Sequence, residues 1–113
     1  MPKFAAVIVA AGSGARFGKE KQSIELEGKP LYRWAIDAFK SVPGIEIIVL
    51  VCSERLRATV DDPDIELVQG GGSRQESVFR GISRAQELGV DHVLVHDAAR
   101  ALITSDIITR VMS

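Results

Sequence analysis

Two runs of the chain are apolar at nearly every position. Phe4–Ala10 and Ile45–Cys52 are rich in Val, Ile and Ala, with almost no alternation of polar and apolar residues. A strand with one wet face would alternate, so these runs predict strands covered on both faces, as in a parallel sheet between helices. Ile65–Val68 and His92–Val95 are shorter runs that read as a third and a fourth strand. Helical spacing lies between them. Pro30 suits a first helical position, Leu31, Trp34, Ala35, Ala38, Phe39 and Val42 follow at helical intervals, and Pro43-Gly44 stops the pattern. Ser73-Arg74-Gln75-Glu76 has the spacing of a capping box, ahead of Val78, Ile82, Ala85 and Leu88 on one face and a stop at Gly89. Residues 53–60 predict a short helix. The order strand, helix, strand, helix, strand implies an α/β fold with a mostly parallel sheet and right-handed crossovers.

The last segment changes the picture of completeness. Thr104 or Ser105 reads as a helix cap, and Ile107, Ile108, Val111 and Met112 form an apolar stripe. The pattern then ends at Ser113 before another strand, so the layer is expected to be incomplete at its C-terminus. Length adds that residues 1–113 are one domain or part of one. The charge balance, 14 Lys and Arg against 15 Asp and Glu, gives −1 and argues against broad nucleic-acid binding. The run from Phe4 to Ala11 is too short to span a bilayer. With only Lys3 before it and Gly12-Ser13-Gly14 after, it does not read as a secretory signal. A cytoplasmic protein with no membrane partner is expected. The single cysteine, Cys52, reads as buried packing.

Three segments carry residues suited to chemistry. The first is the turn after the first strand, Ala10-Ala11-Gly12-Ser13-Gly14-Ala15-Arg16-Phe17-Gly18. Glycines let backbone N–H groups approach a phosphate, and Arg16 and Lys21 would neutralise its charge. Neither the dinucleotide fingerprint nor the Walker A loop fits, because Phe17, Ser13 and Glu20 stand at required positions. A tight turn with solvated charges is the plainer alternative. The second segment is Gly70-Gly71-Gly72-Ser73-Arg74-Gln75-Glu76-Ser77, which opens a helix. Open amides there could read a base or sugar. The capping box accounts for Ser73 and Glu76, and it accounts less well for Arg74 and Ser77. The third is His96-Asp97-Ala98-Ala99-Arg100. An Asp at the carboxyl end of a strand can hold Mg²⁺ beside phosphates, or serve as a turn residue paired with Arg100. His96 lacks the companions of a zinc site, and no nucleophile triad or elbow is present.

Together these segments resemble the 2-C-methyl-D-erythritol 4-phosphate cytidylyltransferase family. The resemblance rests on Ala10 to Gly18 with Lys21-Gln22, then Gly70-Gly71-x-x-Arg74-x-x-Ser77-Val78, then Val95-His96-Asp97-Ala98-Ala99-Arg100, in that order. It implies a Rossmann-like nucleotidyltransferase layer, CTP and a sugar-alcohol phosphate as substrates, Mg²⁺ as cofactor and a homodimer. It also implies that Arg16 and Lys21 stabilise the transition state at the α-phosphate. Ala10, Ala11, Gly12, Ser13 and Gly14 would line the CTP site, with Arg74 and Arg100 among the substrate contacts. Gly71, Gly72 and Ser77 would contact the cytidine, and Asp97 would bind the metal. Two positions depart from the family pattern. Ala101 stands where a proline is usual, and Gly72 where an acidic residue is frequent. The resemblance covers about the N-terminal half of a family member, so the chain reads as the nucleotide-binding part of one truncated cytidylyltransferase domain. Ribitol-5-phosphate cytidylyltransferase shares these motifs, and a nucleotide-binding fragment without turnover is the reading from a different class.

Overall fold

The computed structural model describes residues 2–10, 25–98 and 104–112. Its main sheet has four strands: β1 (Phe4–Val9), β4 (Ile45–Cys52), β5 (Glu66–Gln69) and β6 (His92–Asp97). Their order is β5-β4-β1-β6, and every pairing is parallel. A two-stranded hairpin, β2 (Glu25–Leu26) and β3 (Lys29–Pro30), precedes helix α1 (Leu31–Lys40). Helices α2 (Glu54–Arg57), α3 (Arg74–Glu87) and α4 (Ser105–Met112) complete the described elements.

The continuous apolar runs are explained by two separate cores. Ala6, Ile8 and Ala10 pack with Ile36 and Phe39 of α1, Leu56 of α2 and Ile108 of α4. The intervening Ala5, Val7 and Val9 pack on the other face with Ala85 and Val78 of α3. Residues 5–10 are therefore buried whichever way they point. Burying each Val or Ile side chain of such a strand stabilises the fold by roughly 1.5–3 kcal/mol. The chain runs from β1 outward to β4 and β5, then returns to β6 on the opposite side of β1. Right-handed connections in opposite directions place their helices on opposite faces, which is where α1 and α3 lie.

Helix α3 sits close to the sheet at Gly81. A Cβ there would stand 2.5 Å from Val7 Cγ1 and 2.8 Å from Val51 Cγ2, so hydrogen is the only side chain the gap accepts. Gly89 ends the helix with φ +81°, as its position in the sequence implies.

Several boundaries differ from the sequence reading. Pro30 is extended, with φ −60° and ψ 145°, because it pairs with Glu25, and α1 starts one residue later. The hairpin itself escaped the pattern; its turn, Glu27-Gly28, has positive φ at both residues. β6 continues past Val95 because His96 and Asp97 pair with Ile8 and Val9. Thr104, not Ser105, caps α4, accepting a hydrogen bond from Ile107 N at 3.3 Å.

Candidate nucleotide site at the sheet edge

The hydrogen-bond ladder continues just beyond three strands. Ala10 N donates to Val51 O at 2.7 Å, Ala98 N to Val9 O at 3.0 Å, and Gly70 N to Cys52 O at 3.0 Å. Ala10, Gly70 and Ala98 thus leave the sheet along one carboxyl edge. The reversal of strand order falls between β1 and β6, and such switch points form the ligand crevice of open α/β sheets. Ala10 and Asp97 flank that crevice, since Val9 and Asp97 are register partners. Ala11, Gly12, Ser13, Gly14, Arg16, Lys21 and Arg100 lie outside the described residues.

The 70–77 turn is locked by its own helix. Ser73 caps α3, its hydroxyl accepting from Glu76 N at 3.1 Å. The Glu76 carboxylate accepts from Gly72 N at 3.2 Å, one residue before the amide that a capping box would use. Ser77 is completely buried, and its Oγ accepts from Gly71 N at 3.0 Å. Arg80 donates to the carbonyls of Gln69 and Gly70 at 3.4 and 3.3 Å. The amides of Gly71 and Gly72 are therefore not open as the sequence reading expected; side chains of α3 already hold them. A Cβ at Gly71 would overlap the Glu76 side chain, whereas one at Gly72 would meet nothing within 4 Å.

The second and third segments meet through charge. Arg74 Nε lies 3.5 Å from Asp97 Oδ2, so α3 and β6 are bridged across the crevice. Arg74 is thus an ion-pair partner of Asp97, and the pairing with Arg100 falls outside the described residues. The adjacent His96 turns toward α1, its ring 6.1 Å from that of Phe39 in an edge-on contact. Burial pushes the His96 imidazole below its ordinary pKa, and Asp97 opposes the shift only in part, so the ring is neutral at neutral pH. His92 starts β6 and stacks against Phe4 at 4.9 Å. Cys52 is buried at the end of β4.

Among the described residues no group of three His, Cys, Asp or Glu gathers as a metal site. At this edge the described residues include one partly exposed carboxylate, Asp97, beside a cationic group. That fits Mg²⁺ bound with phosphates, which needs only one or two carboxylates from the protein. Among the described residues, no helix is long and apolar enough to cross a membrane.

A profile of the family described as 2-C-methyl-D-erythritol 4-phosphate cytidylyltransferase matches residues 4–113. A protein of that name from Synechococcus sp. (strain CC9902) is 38% identical over 112 residues, covering 92% of this chain and 49% of the relative. The chain belongs to the 2-C-methyl-D-erythritol 4-phosphate cytidylyltransferase family. A second member, from Cereibacter sphaeroides (strain ATCC 17023), is 37% identical over 117 residues, with 96% of this chain and 52% of the relative covered. The crystal structure of 4-diphosphocytidyl-2C-methyl-D-erythritol synthase from Anaerococcus prevotii superposes with a TM-score of 0.78 at 25% identity, covering 98% of this chain and 49% of that one. The α/β layer described above is thus the nucleotidyltransferase fold of the family. The chain spans about half the length of the relatives it matches.

Within this family member, Arg80 is a residue of the turn that the sequence reading does not include. Glu76 is read from its spacing as part of a capping box, and nothing in that spacing marks Gly72 as its target. Arg80 falls one turn after Glu76 on the same side of α3, and that helical register is the available signal.

Proposed function

We propose that this chain carries the CTP-binding part of a cytidylyl transfer from CTP to 2-C-methyl-D-erythritol 4-phosphate, with CDP-methylerythritol and pyrophosphate as products. The observation that carries the reading is the convergence of Ala10, the 70–77 turn and Asp97 on one sheet edge at the switch point. Family membership supplies the substrates. In this reading Ala10, Ala11, Gly12, Ser13 and Gly14 line the CTP site, and Gly71, Gly72 and Ser77 contact the cytidine. Arg74 and Arg100 contact the substrate. A homodimer is the expected assembly of the working enzyme.

The chemistry asks little of the protein beyond position and charge. A phosphate monoester is largely dianionic at neutral pH, with a second pKa of about 6, so its attacking oxygen needs no general base. That oxygen forms a bond to the α-phosphorus of CTP while the bond to pyrophosphate breaks in line. Arg16 and Lys21 stabilise the charge that develops on the α-phosphoryl oxygens. Asp97 is the residue that would hold Mg²⁺. When bound, the ion neutralises phosphate charge that would otherwise repel the incoming anion.

Calorimetric titration with CTP, UTP, ATP and GTP, with and without Mg²⁺, tests the reading. CTP is expected to bind in preference to the other three, and only with the metal present. Equal and metal-independent binding of all four would remove the basis for cytidylyl transfer.

A further inference from the structure

Gly70-Gly71-Gly72 precedes α3, and a glycine run has the most conformational freedom to lose on ordering. Neither Gly71 nor Gly72 has positive φ, so their backbone shape does not by itself call for glycine. Side chains of α3 supply the order that the run lacks. The Gly71 amide donates to Ser77 Oγ at 3.0 Å, and the Gly72 amide to Glu76 Oε1 at 3.2 Å. A Cβ at Gly71 would overlap the Glu76 side chain, so that glycine makes room for the carboxylate that holds its neighbour. One helical turn further along, Arg80 Nη1 donates to the carbonyls of Gln69 and Gly70 at 3.4 and 3.3 Å. Its Nη2 lies 3.8 Å from the same Glu76 oxygen, with the acid N-terminal to the base, the favourable order for an i,i+4 pair. One guanidinium thus touches the start of the turn and steadies the carboxylate that holds its end. We propose that Arg80 is a positioning residue that fixes the shape of this turn before a nucleotide base meets it. The proposal rests on the reading that the turn contacts the cytidine of CTP.

Two arginines on one side of α3 divide the work. Arg84 braces the helix to β5, its Nε and Nη2 donating to Glu66 Oε1 at 3.1 and 2.8 Å. Arg80 grips the loop that leaves β5 at the carboxyl edge of the sheet. Its carbonyl contacts are long and its side chain is half exposed, so its contribution to global stability is small. What the grip changes is the cost of binding. A ligand that meets a preformed turn does not bear the cost of ordering it. A base is the part of a nucleotide most sensitive to that order, because it is told apart by hydrogen bonds that fail when a group is misplaced. Phosphates are attracted by charge over a longer range and tolerate a looser turn. Loosening the turn therefore blurs the choice of base more than it weakens the hold on the triphosphate.

Amide hydrogen exchange without nucleotide, and titration with CTP and UTP in the presence of Mg²⁺, read the grip in the full 113-residue chain. In Arg80→Ala the Gly71 and Gly72 amides are expected to exchange about three- to tenfold faster, the worth of an ordinary hydrogen bond, with the urea midpoint near that of the unaltered chain. CTP should weaken by a similar factor and UTP by less than about twofold, so the preference for CTP shrinks. Arg80→Lys keeps the charge and can still reach a carbonyl, and should recover part of both losses. Arg84→Ala removes the same charge one turn away and lowers the urea midpoint. It should leave the glycine exchange and the CTP preference within about twofold of the parent, since amides of an exposed turn exchange by local opening. Unchanged glycine exchange in Arg80→Ala overturns the proposal. Equal weakening of CTP and UTP overturns it too, by making Arg80 a plain cation for phosphate. So does an Arg84→Ala variant that reproduces the effect, which would make it a loss of stability. An unaltered chain that binds CTP and UTP alike removes the cytidylyltransferase reading and this proposal with it. An unaltered chain that prefers CTP, beside an Arg80→Ala variant that keeps the preference, removes this proposal alone.

Discussion

Gly81 and Gly72 show how differently two glycines of one chain are constrained. At Gly81 an added methyl group would press on Val7 and Val51, two residues at the centre of the sheet. With two contacts below 3 Å to core side chains the overpacking costs about 2–3 kcal/mol, offset by about 1 kcal/mol of better helix propensity. Gly81→Ala is therefore expected to lose about 1–2 kcal/mol in urea unfolding. Gly72 has open space around its Cβ position and does not adopt positive φ. Gly72→Ala is expected to stay within about 0.5 kcal/mol of the parent. A large loss at Gly72, or none at Gly81, would contradict the packing described here. In the sequence Gly72 stands out as part of a glycine cluster, whereas only the packing marks Gly81.

At the scale of one element, α1 is tied to the segment before β5 by ion pairs that its periodicity does not reveal. Asp62 receives Lys40 Nζ at 2.7 Å and Arg33 Nη1 at 2.9 Å, and its other oxygen accepts from Asp64 N at 3.0 Å. The Lys40 contact chiefly, with help from the Asp64 amide and Arg33 against the cost of burial, holds its carboxyl at a pKa of about 2. Asp37 is held low as well. Burial, the largest single influence, pushes it up, and Lys29 and Arg33 together outweigh that effect. A carboxyl whose folded pKa lies below its unfolded value contributes stability above the unfolded pKa and loses it as pH falls through the folded one. For Asp62 the window runs from about pH 4 down to about pH 2. Allowing for solvent screening, Asp62→Asn is expected to cost about 1–2 kcal/mol at pH 7. In urea titrations across pH the gap should narrow below pH 4 and close near pH 2. A gap that stays constant down to pH 2 would show that the charge of Asp62 contributes nothing. Arg33 and Lys40 fall between the apolar positions of α1, where helical spacing puts polar residues. Asp62 is not legible in that pattern, because a partner 22 residues away is chosen by the fold and not by spacing.

At the scale of the whole molecule, β6 forms one side of the sheet, and no described strand pairs with its outer edge. Val95 on β6 is 42% exposed and Phe79 on α3 is 68% exposed. Val95 shares the sheet face of its register partner Val7, the face that α3 covers. An unpaired edge beside exposed apolar surface is a template for another chain. Residues 1–113 are expected to associate, with the mass from light scattering rising with concentration. Val95→Lys, which places a charge on the edge, should lower that mass. A monomer at every concentration, or association indifferent to Val95→Lys, would remove the edge from consideration.

The sequence by itself determined the layer. Uninterrupted Val and Ile runs can be buried on both faces only between helices, and helical spacing with Ser73, Gly44 and Gly89 as punctuation set where those helices lie. It also carried the family, because the motif residues are spaced by local turns. Tertiary structure decided what long-range packing controls. The order β5-β4-β1-β6 sets the switch point, and no local pattern encodes which neighbour a strand takes. The glycine amides that looked open in the sequence are held by Glu76 and Ser77, since a helix start brings those side chains back over the turn before it. Asp97 pairs with Arg74, 23 positions before it, because the return of the chain from α3 to β6 sets the start of the helix beside the end of the strand.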